Sequence, residues 1–211
     1  MGEKRMSWNW LGWILWIGGI AFLVYVIHYI RVHQLMMIAR DHKRFSGRLF
    51  VRYIILLAIA IAWLCTMGYF SFFRSVSYKD SSAVSIHTTY HPLVLTSAHG
   101  GYYYVVANRT QGGKKDVVSY TYWTKNAKNT TNARYGTLSA SDRYLSSVAG
   151  EYPWNKQKLQ QVDRSSGYAF AAVMTIRYKN TPINGLGVRA GRQADQYTLI
   201  RVPAANMIYQ K

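Results

Sequence analysis

Between Arg5 and Arg31 run 25 residues without a formal charge, and between Arg52 and Arg74 another 21. A helix needs about 20 apolar residues to cross the hydrocarbon core of a bilayer. Inside lipid every backbone N–H and C=O must bond internally, which leaves a helix as the structure for each stretch. Trp8, Trp10, Trp13 and Trp16 crowd the start of the first stretch and Tyr25 and Tyr29 mark its end, as amphipathic rings do at the two headgroup levels. Both stretches exceed the 7 to 15 residues of a signal-peptide core. Two transmembrane helices are therefore expected, the first over about residues 6–30 and the second over 53–73.

Charge sets their direction. The connecting loop, residues 31–52, carries Arg31, Arg40, Lys43, Arg44, Arg48 and Arg52 against Asp41, whereas the N-terminal tail has Lys4 and Arg5 against Glu3. Basic loops stay in the cytoplasm, so both termini, and everything after Arg74, are expected outside. Residues 32–40 are apolar enough to extend the first helix or to lie along the bilayer surface. Gly12 and Gly19, and Ala58 and Ala62, place small residues on one face of each helix, where backbones can approach closely. Cys65, the single cysteine, reads as a small apolar packing residue and excludes a disulfide framework or a cysteine-cluster metal site.

Residues 74–211 number 138, enough for a domain with its own core. Tyr102 to Ala107 and Val117 to Trp123 alternate with period two in Tyr, Val and Thr, the pattern of β-strands. Gln111-Gly112-Gly113-Lys114 between them reads as a hairpin turn. Residues 84–90, 168–178 and 197–202 are further candidate strands. Residues 141–149 open with a capping serine and precede Gly150, which predicts a helix, with a second short one near 155–162. Residues 125–132 lack an apolar face and 180–185 contain Pro182, so both read as loops. The expected fold is two transmembrane α-helices followed by a mostly β exported domain with little helix, sandwich or barrel-like.

Chemistry is sparse. The exported part has six acids, Asp80, Asp116, Asp142, Glu151, Asp163 and Asp195, none close to another in sequence, so no carboxylate pair can be assigned. His87 and His91 have a metal-ligand spacing only on a helix. In a strand they share a face about 13 Å apart. Gly185-Leu186-Gly187-Val188-Arg189-Ala190 matches a loose dinucleotide fingerprint but follows a proline loop, so its glycines are ascribed to loop conformation. There is no nucleophile elbow and no phosphate-binding loop. No catalytic residue, cofactor or metal is expected, and a non-enzymatic role is favoured.

What remains is charge and tyrosine. The 18 Lys and Arg after residue 73 leave a net +12. Arg109, Lys114 and Lys115 flank the hairpin, and Lys125, Lys128 and Arg134 follow its second strand; these six are the candidate anion contacts. Asn108-Arg109-Thr110 and Asn129-Thr130-Thr131 match the glycosylation sequon. The two Trp- and Tyr-framed helices, followed by a cysteine-free, Tyr-rich basic domain ending in Val202-Pro203-Ala204-Ala205-Asn206, resemble the small uncharacterised two-pass membrane proteins of lactic acid bacteria. The resemblance implies an envelope location, no activity and no functional residue. The expected partners are membrane lipid, an anionic envelope polymer, and a membrane protein or a second copy of the chain. The alternatives are an envelope hydrolase or transferase without a recognisable motif, and an inverted protein whose cytoplasmic domain binds nucleic acid; the loop charge opposes the second.

Overall fold

The structure is a computed structural model, and it describes residues 7–41, 46–98, 101–110, 117–125, 127–140 and 145–210. Helix α1 spans Asn9–Asp41 and α2 spans Gly47–Gly68, continued by a π-helical turn, Tyr69–Phe73. The first helix thus continues through residues 32–40, and Arg48 and Arg52 stand in the opening turns of the second. Both helices are long and apolar enough to cross a membrane. They face each other through buried residues seven apart: Gly19 and Val26 on α1, Tyr53, Ala60 and Met67 on α2. Seven-residue spacing keeps one seam inward along two helices. The pairing is antiparallel, because Tyr29 meets Tyr53 edge-on at 6.2 Å while the Trp16 indole N–H donates to Ser71 Oγ at 3.2 Å. Gly19 earns its place in the seam, since a Cβ there would lie 3.0 Å from a Leu64 methyl and 3.2 Å from the Trp63 ring. Ala58 and Ala62, expected at the interface, are exposed instead, because the seam runs through Ala60, two residues away. Cys65 is also exposed, not packed.

The chain forms two units. One holds α1, α2, the π turn and residues Tyr178–Arg192; the other holds Tyr78–Arg177 with Gln193–Lys211. Within the helical unit, Tyr178–Arg192 contains a one-turn helix, the docking helix, Pro182–Leu186. It was expected as loop; Pro182 sits at its first turn, where proline's fixed φ suits a helix start and its missing N–H costs nothing, and Thr181 Oγ1 accepts from Asn184 N–H. The docking helix lies against the start of α1. Asn9 exchanges two 2.9 Å hydrogen bonds with the Ala190 backbone, and Trp8 N–H donates to Asn180 Oδ1 at 2.8 Å. The Arg189 guanidinium closes the same end of the pair, where α2 finishes, donating through Nε to the Ser71 carbonyl at 2.9 Å and through Nη1 to that of Arg74 at 2.7 Å. Backbone approaches backbone so closely that a Cβ on Gly185 would fall 2.6 Å from Trp8 Cβ, and one on Gly12 would fall 2.9 Å from the Leu186 oxygen. Gly185 and Gly187 do not have positive φ. Their purpose is proximity, where the sequence suggested loop conformation.

The second unit is mostly strand. One open four-stranded sheet has the order β1-β8-β9-β7, a second has β10-β4-β5-β6, and β2-β3 form a small ribbon. The strands are β1 Val84–Pro92, β2 Thr96–Ala98, β3 Gly101–Tyr103, β4 Val105–Thr110, β5 Val117–Thr124, β6 Ala127–Asn132, β7 Gly136–Ser139, β8 Phe170–Tyr178, β9 Gln193–Arg201 and β10 Ile208–Gln210. β4 and β5 pair antiparallel from Val105↔Tyr122 to Thr110↔Val117; the expected turn between them lies outside the described residues. β6 corrects the loop expected over 125–132. It pairs with β5 from Thr124↔Ala127 to Ser119↔Asn132, because an edge strand is held by backbone bonds and needs no apolar face. Leu93, Val105 and Tyr122 pack with Ala169, Ala171, Ile200 and Val202 in one core between the two sheets, a sandwich arrangement of open sheets and not a closed barrel.

Short helices cover the other face of the first sheet. The helix expected over 141–149 begins only at Ser147 and runs to Gly150, since Ser146 takes the Ala149 N–H on its hydroxyl and acts as the cap; residues 141–144 lie outside the described residues. The next helix, Lys156–Ser165, starts where expected, with Asn155 Oδ1 accepting from Lys158 N–H at 3.0 Å. It buries Leu159 and Asp163. Asp163 Oδ2 accepts from the Arg201 guanidinium of β9, and both side chains are about 6 % exposed. Tyr152 stacks on Tyr197 at 4.2 Å and on Tyr78 at 6.1 Å.

Candidate functional site

At the open edge of the sandwich, β6 and the end of β5 stand across from β1, β8 and β9. The strand pleat sends alternate side chains to opposite faces, so Tyr122, Thr124, Asn129 and Thr131 face inward while Trp123, Lys128 and Thr121 face out. The inward set lines a cleft of about 610 Å³ whose opposite wall is Thr89, His91, Val173, Gln196 and Thr198. Its floor is a bridge between the sheets: the buried Tyr122 phenol is pushed above its ordinary pKa by burial, an effect that its hydrogen bond with Thr198 partly offsets. A neutral phenol is thus held at the base of the cleft.

The walls are preset by hydrogen bonds within the strands. Thr124 Oγ1 donates to the Ala127 carbonyl at 3.1 Å, Asn129 Nδ2 donates to Thr124 Oγ1 and the Ala127 carbonyl, and Thr89 Oγ1 donates to the Val173 carbonyl. The Thr89 hydroxyl, a donor here, keeps its lone pairs for a visitor, the Thr124 hydroxyl keeps one, and the Asn129 amide keeps its oxygen. Two ionisable side chains join the lining, His91 and Lys125, both exposed. No carboxylate is among the lining residues. Beside the cleft, and sharing Thr131, Gln196 and Thr198 with it, lies a second hollow of about 410 Å³ that includes Tyr135 and Asp195.

Of the six candidate anion contacts, four are described, and they do not converge on one site. Arg109 pairs in register with Val118 at one end of β5 and Lys125 follows the other end, roughly 24 Å away at 3.4 Å per residue. Lys128 lies over the Trp123 ring at 5.8 Å and Arg134 over Tyr135 at 5.5 Å. Only Lys125 lines the cleft. Lys114 and Lys115, like Lys43 and Arg44 of the helix connection, lie outside the described residues, and of the Arg40 side chain nothing is described.

Asp116 and Asp142 lie outside the described residues, and no described acid lines the cleft. Asp80 accepts from Ser82 in its own turn at 2.7 Å, Asp163 meets Arg201, and Asp195 accepts from the Tyr152 hydroxyl at 2.8 Å. Tyr152 is held far above its ordinary pKa, first by burial and then by that carboxylate, so its phenol stays protonated and serves as a donor. His87 and His91 lie on one strand, two pleats apart, and no group of three metal-ligating side chains occurs among the described residues. His91 therefore enters the site as a wall residue. No local pattern assigns Asn129, Thr131, Gln196 and Thr198 to a common site; they come together because β5-β6 and β8-β9 belong to facing sheets.

A family model described as ":-like" matches residues 7–209. The chain belongs to that family. No curated protein and no solved structure matches the chain.

Proposed function

We propose that this is a two-pass envelope membrane protein whose β domain binds a hydroxyl-bearing anionic polymer, chain by chain, in the cleft between its sheets. One observation carries the reading: a cleft lined by Thr, Asn, Gln and Tyr, with Lys125 and His91 at its wall and no carboxylate. Hydroxyl and amide groups exchange hydrogen bonds with a polyol, and a lysine ammonium attracts a phosphate as a point charge. A carboxylate in the lining would repel the same ligand. The net +12 of residues 74–211 adds long-range attraction. The lysine- and arginine-rich connection between the helices supports a β domain outside the cytoplasm, where such polymers lie, and the resemblance to two-pass proteins of lactic acid bacteria supports an envelope setting.

The test is retention of the full-length protein, in detergent, on an immobilised glycerol-phosphate polymer, with a neutral glucan as reference. The wild type should be retained on the charged polymer and released by salt, because screening shortens to about 8 Å at physiological ionic strength. The double variant K125Q and H91A should lose retention by about tenfold, roughly 1.4 kcal/mol, while K128Q, outside the cleft, changes little. Equal losses from K125Q and K128Q would leave only net charge as the cause, and no retention at low salt would sink the reading.

A further inference from the structure

A second hollow lies wholly within the helical unit. Trp13, Trp16, Ile17 and Ile20 of α1, together with Phe72, form the walls of a groove of about 420 Å³, roofed by residues 187–189 and Arg192. Positions 13, 16, 17 and 20 follow helical spacing, so they make one continuous apolar stripe along α1. The groove sits at the tryptophan-rich end of the pair, beside Phe72 and Phe73, which are 74 % and 78 % exposed. Its roof is cationic in two different ways. Arg189 is locked, its N–H groups committed to the Ser71 and Arg74 carbonyls and its plane 5.7 Å over Tyr178, so it supplies fixed charge. Arg192 is exposed, and its guanidinium makes no hydrogen bond or ion pair among the described residues.

An apolar slot running down a membrane helix under a free guanidinium matches an amphiphile whose acyl chain enters the slot and whose anionic headgroup meets the roof. Arginine offers two parallel N–H donors to a phosphate, and the low polarity around the groove strengthens that pairing. Tryptophan rings at this level already mark a headgroup region. We infer that the groove is a binding site for one anionic glycerophospholipid, its phosphate on Arg192 beside the fixed charge of Arg189 and its acyl chain along Trp13, Ile17 and Ile20. The inference rests on insertion of the two helices and not on the ligand of the cleft.

The site also explains the locked roof. Val188, at φ 55°, holds a left-handed conformation that is strained for a β-branched residue. Its N–H bonds the Gly185 carbonyl at 2.9 Å, and that turn brings Arg189 back onto the helix ends while Arg192 is carried out over the slot.

The experiment is native mass spectrometry of the full-length protein in detergent, titrated with phosphatidylglycerol or with phosphatidylcholine of the same acyl chains. The wild type should bind one phosphatidylglycerol at least tenfold more tightly than phosphatidylcholine. R192Q should reduce that preference to about threefold or less, R192K should keep part of it, and I17W, which fills the slot, should lose both lipids. K125Q should leave lipid binding unchanged, so failure of the cleft reading and failure of this one are separable. Circular dichroism melting of each variant checks folding, and the exposed, unbonded Arg192 side chain makes R192Q a surface change. Equal binding of the two lipids by the wild type, or an unchanged preference in R192Q, overturns the proposal.

Discussion

Replacing Gly185 by alanine tests whether the docking helix is held by backbone proximity. The added Cβ would meet the Trp8 carbonyl carbon and Cβ at 2.6 Å each, whereas carbon pairs rest at about 3.5–4.0 Å. About 1 Å of overlap must be relieved. Both obstacles belong to main chain or to its first side-chain atom, so rotation of a flexible side chain cannot absorb it. Overpacking of this kind typically costs about 1–3 kcal/mol, and the cheapest escape is undocking of Tyr178–Arg192, which sacrifices the Asn9–Ala190 and Trp8–Asn180 hydrogen bonds. At 1.4 kcal/mol per factor of ten, the open population should rise by roughly 5- to 150-fold. Trypsin reports it directly, since Lys179, Arg189 and Arg192 all lie in the segment and cleavage of a fast-opening region tracks its open population. With full-length protein in detergent, G185A should be cut in this segment at least fivefold faster than wild type. G150A is the control, because a Cβ on Gly150 meets nothing within 4 Å. If G185A and G150A are cut at the same rate, close approach is not what requires glycine at this position.

Two further expectations concern pH and topology. Burial raises the pKa of Tyr90, Tyr122, Tyr152 and Tyr197 above the ordinary phenol value, so their contribution to stability is complete below pH 10 and is lost as pH climbs through the raised values above it; ultraviolet titration of the folded chain should leave part of the 18-tyrosine signal displaced above that in urea, and superposed curves would refute it. An alkaline phosphatase fused after Lys211 should be active and a fluorescent protein that matures only in the cytoplasm should be dark there, and the opposite pair of results would place the β domain inside.

The periodic parts of the fold are readable because their signal is local. Each long apolar helix declares itself in a charge-free run, and β5 in the alternation of Val118, Tyr120 and Tyr122 with Ser119, Thr121 and Trp123. Pattern fails where a residue's reason lies elsewhere in the chain. β6 reads as loop because Lys128, Asn129, Thr130 and Thr131 offer no apolar face; the information that makes it a strand is held by β5, through the register Thr121↔Thr130. Gly185 resembles a loop glycine because its obstacle, Trp8, is 177 positions away. Gly12 and Gly19 are spaced as one packing face, and they are one, but they serve different neighbours: Gly19 accommodates α2 and Gly12 the docking helix. The cleft is the least legible feature, since its hydroxyls and amides belong to both facing sheets.

Net charge is the quantity most easily counted from this sequence and the one that says least about a site. Lys128 and Arg134 lie over aromatic rings, Arg189 closes the carbonyls at the end of the helix pair, and Arg201 meets a buried carboxylate. Such cations stabilise the fold where they stand, through ring faces and hydrogen bonds, and moving them to an external anion would forfeit those contacts. Among the described residues, Lys125 in the cleft and Arg192 over the groove stand at a cavity wall with no internal bond, so each can take an external partner without that loss. Affinity for an anionic ligand should therefore follow these two positions, each toward its own ligand, while substitutions elsewhere in the basic surface alter mainly its dependence on salt.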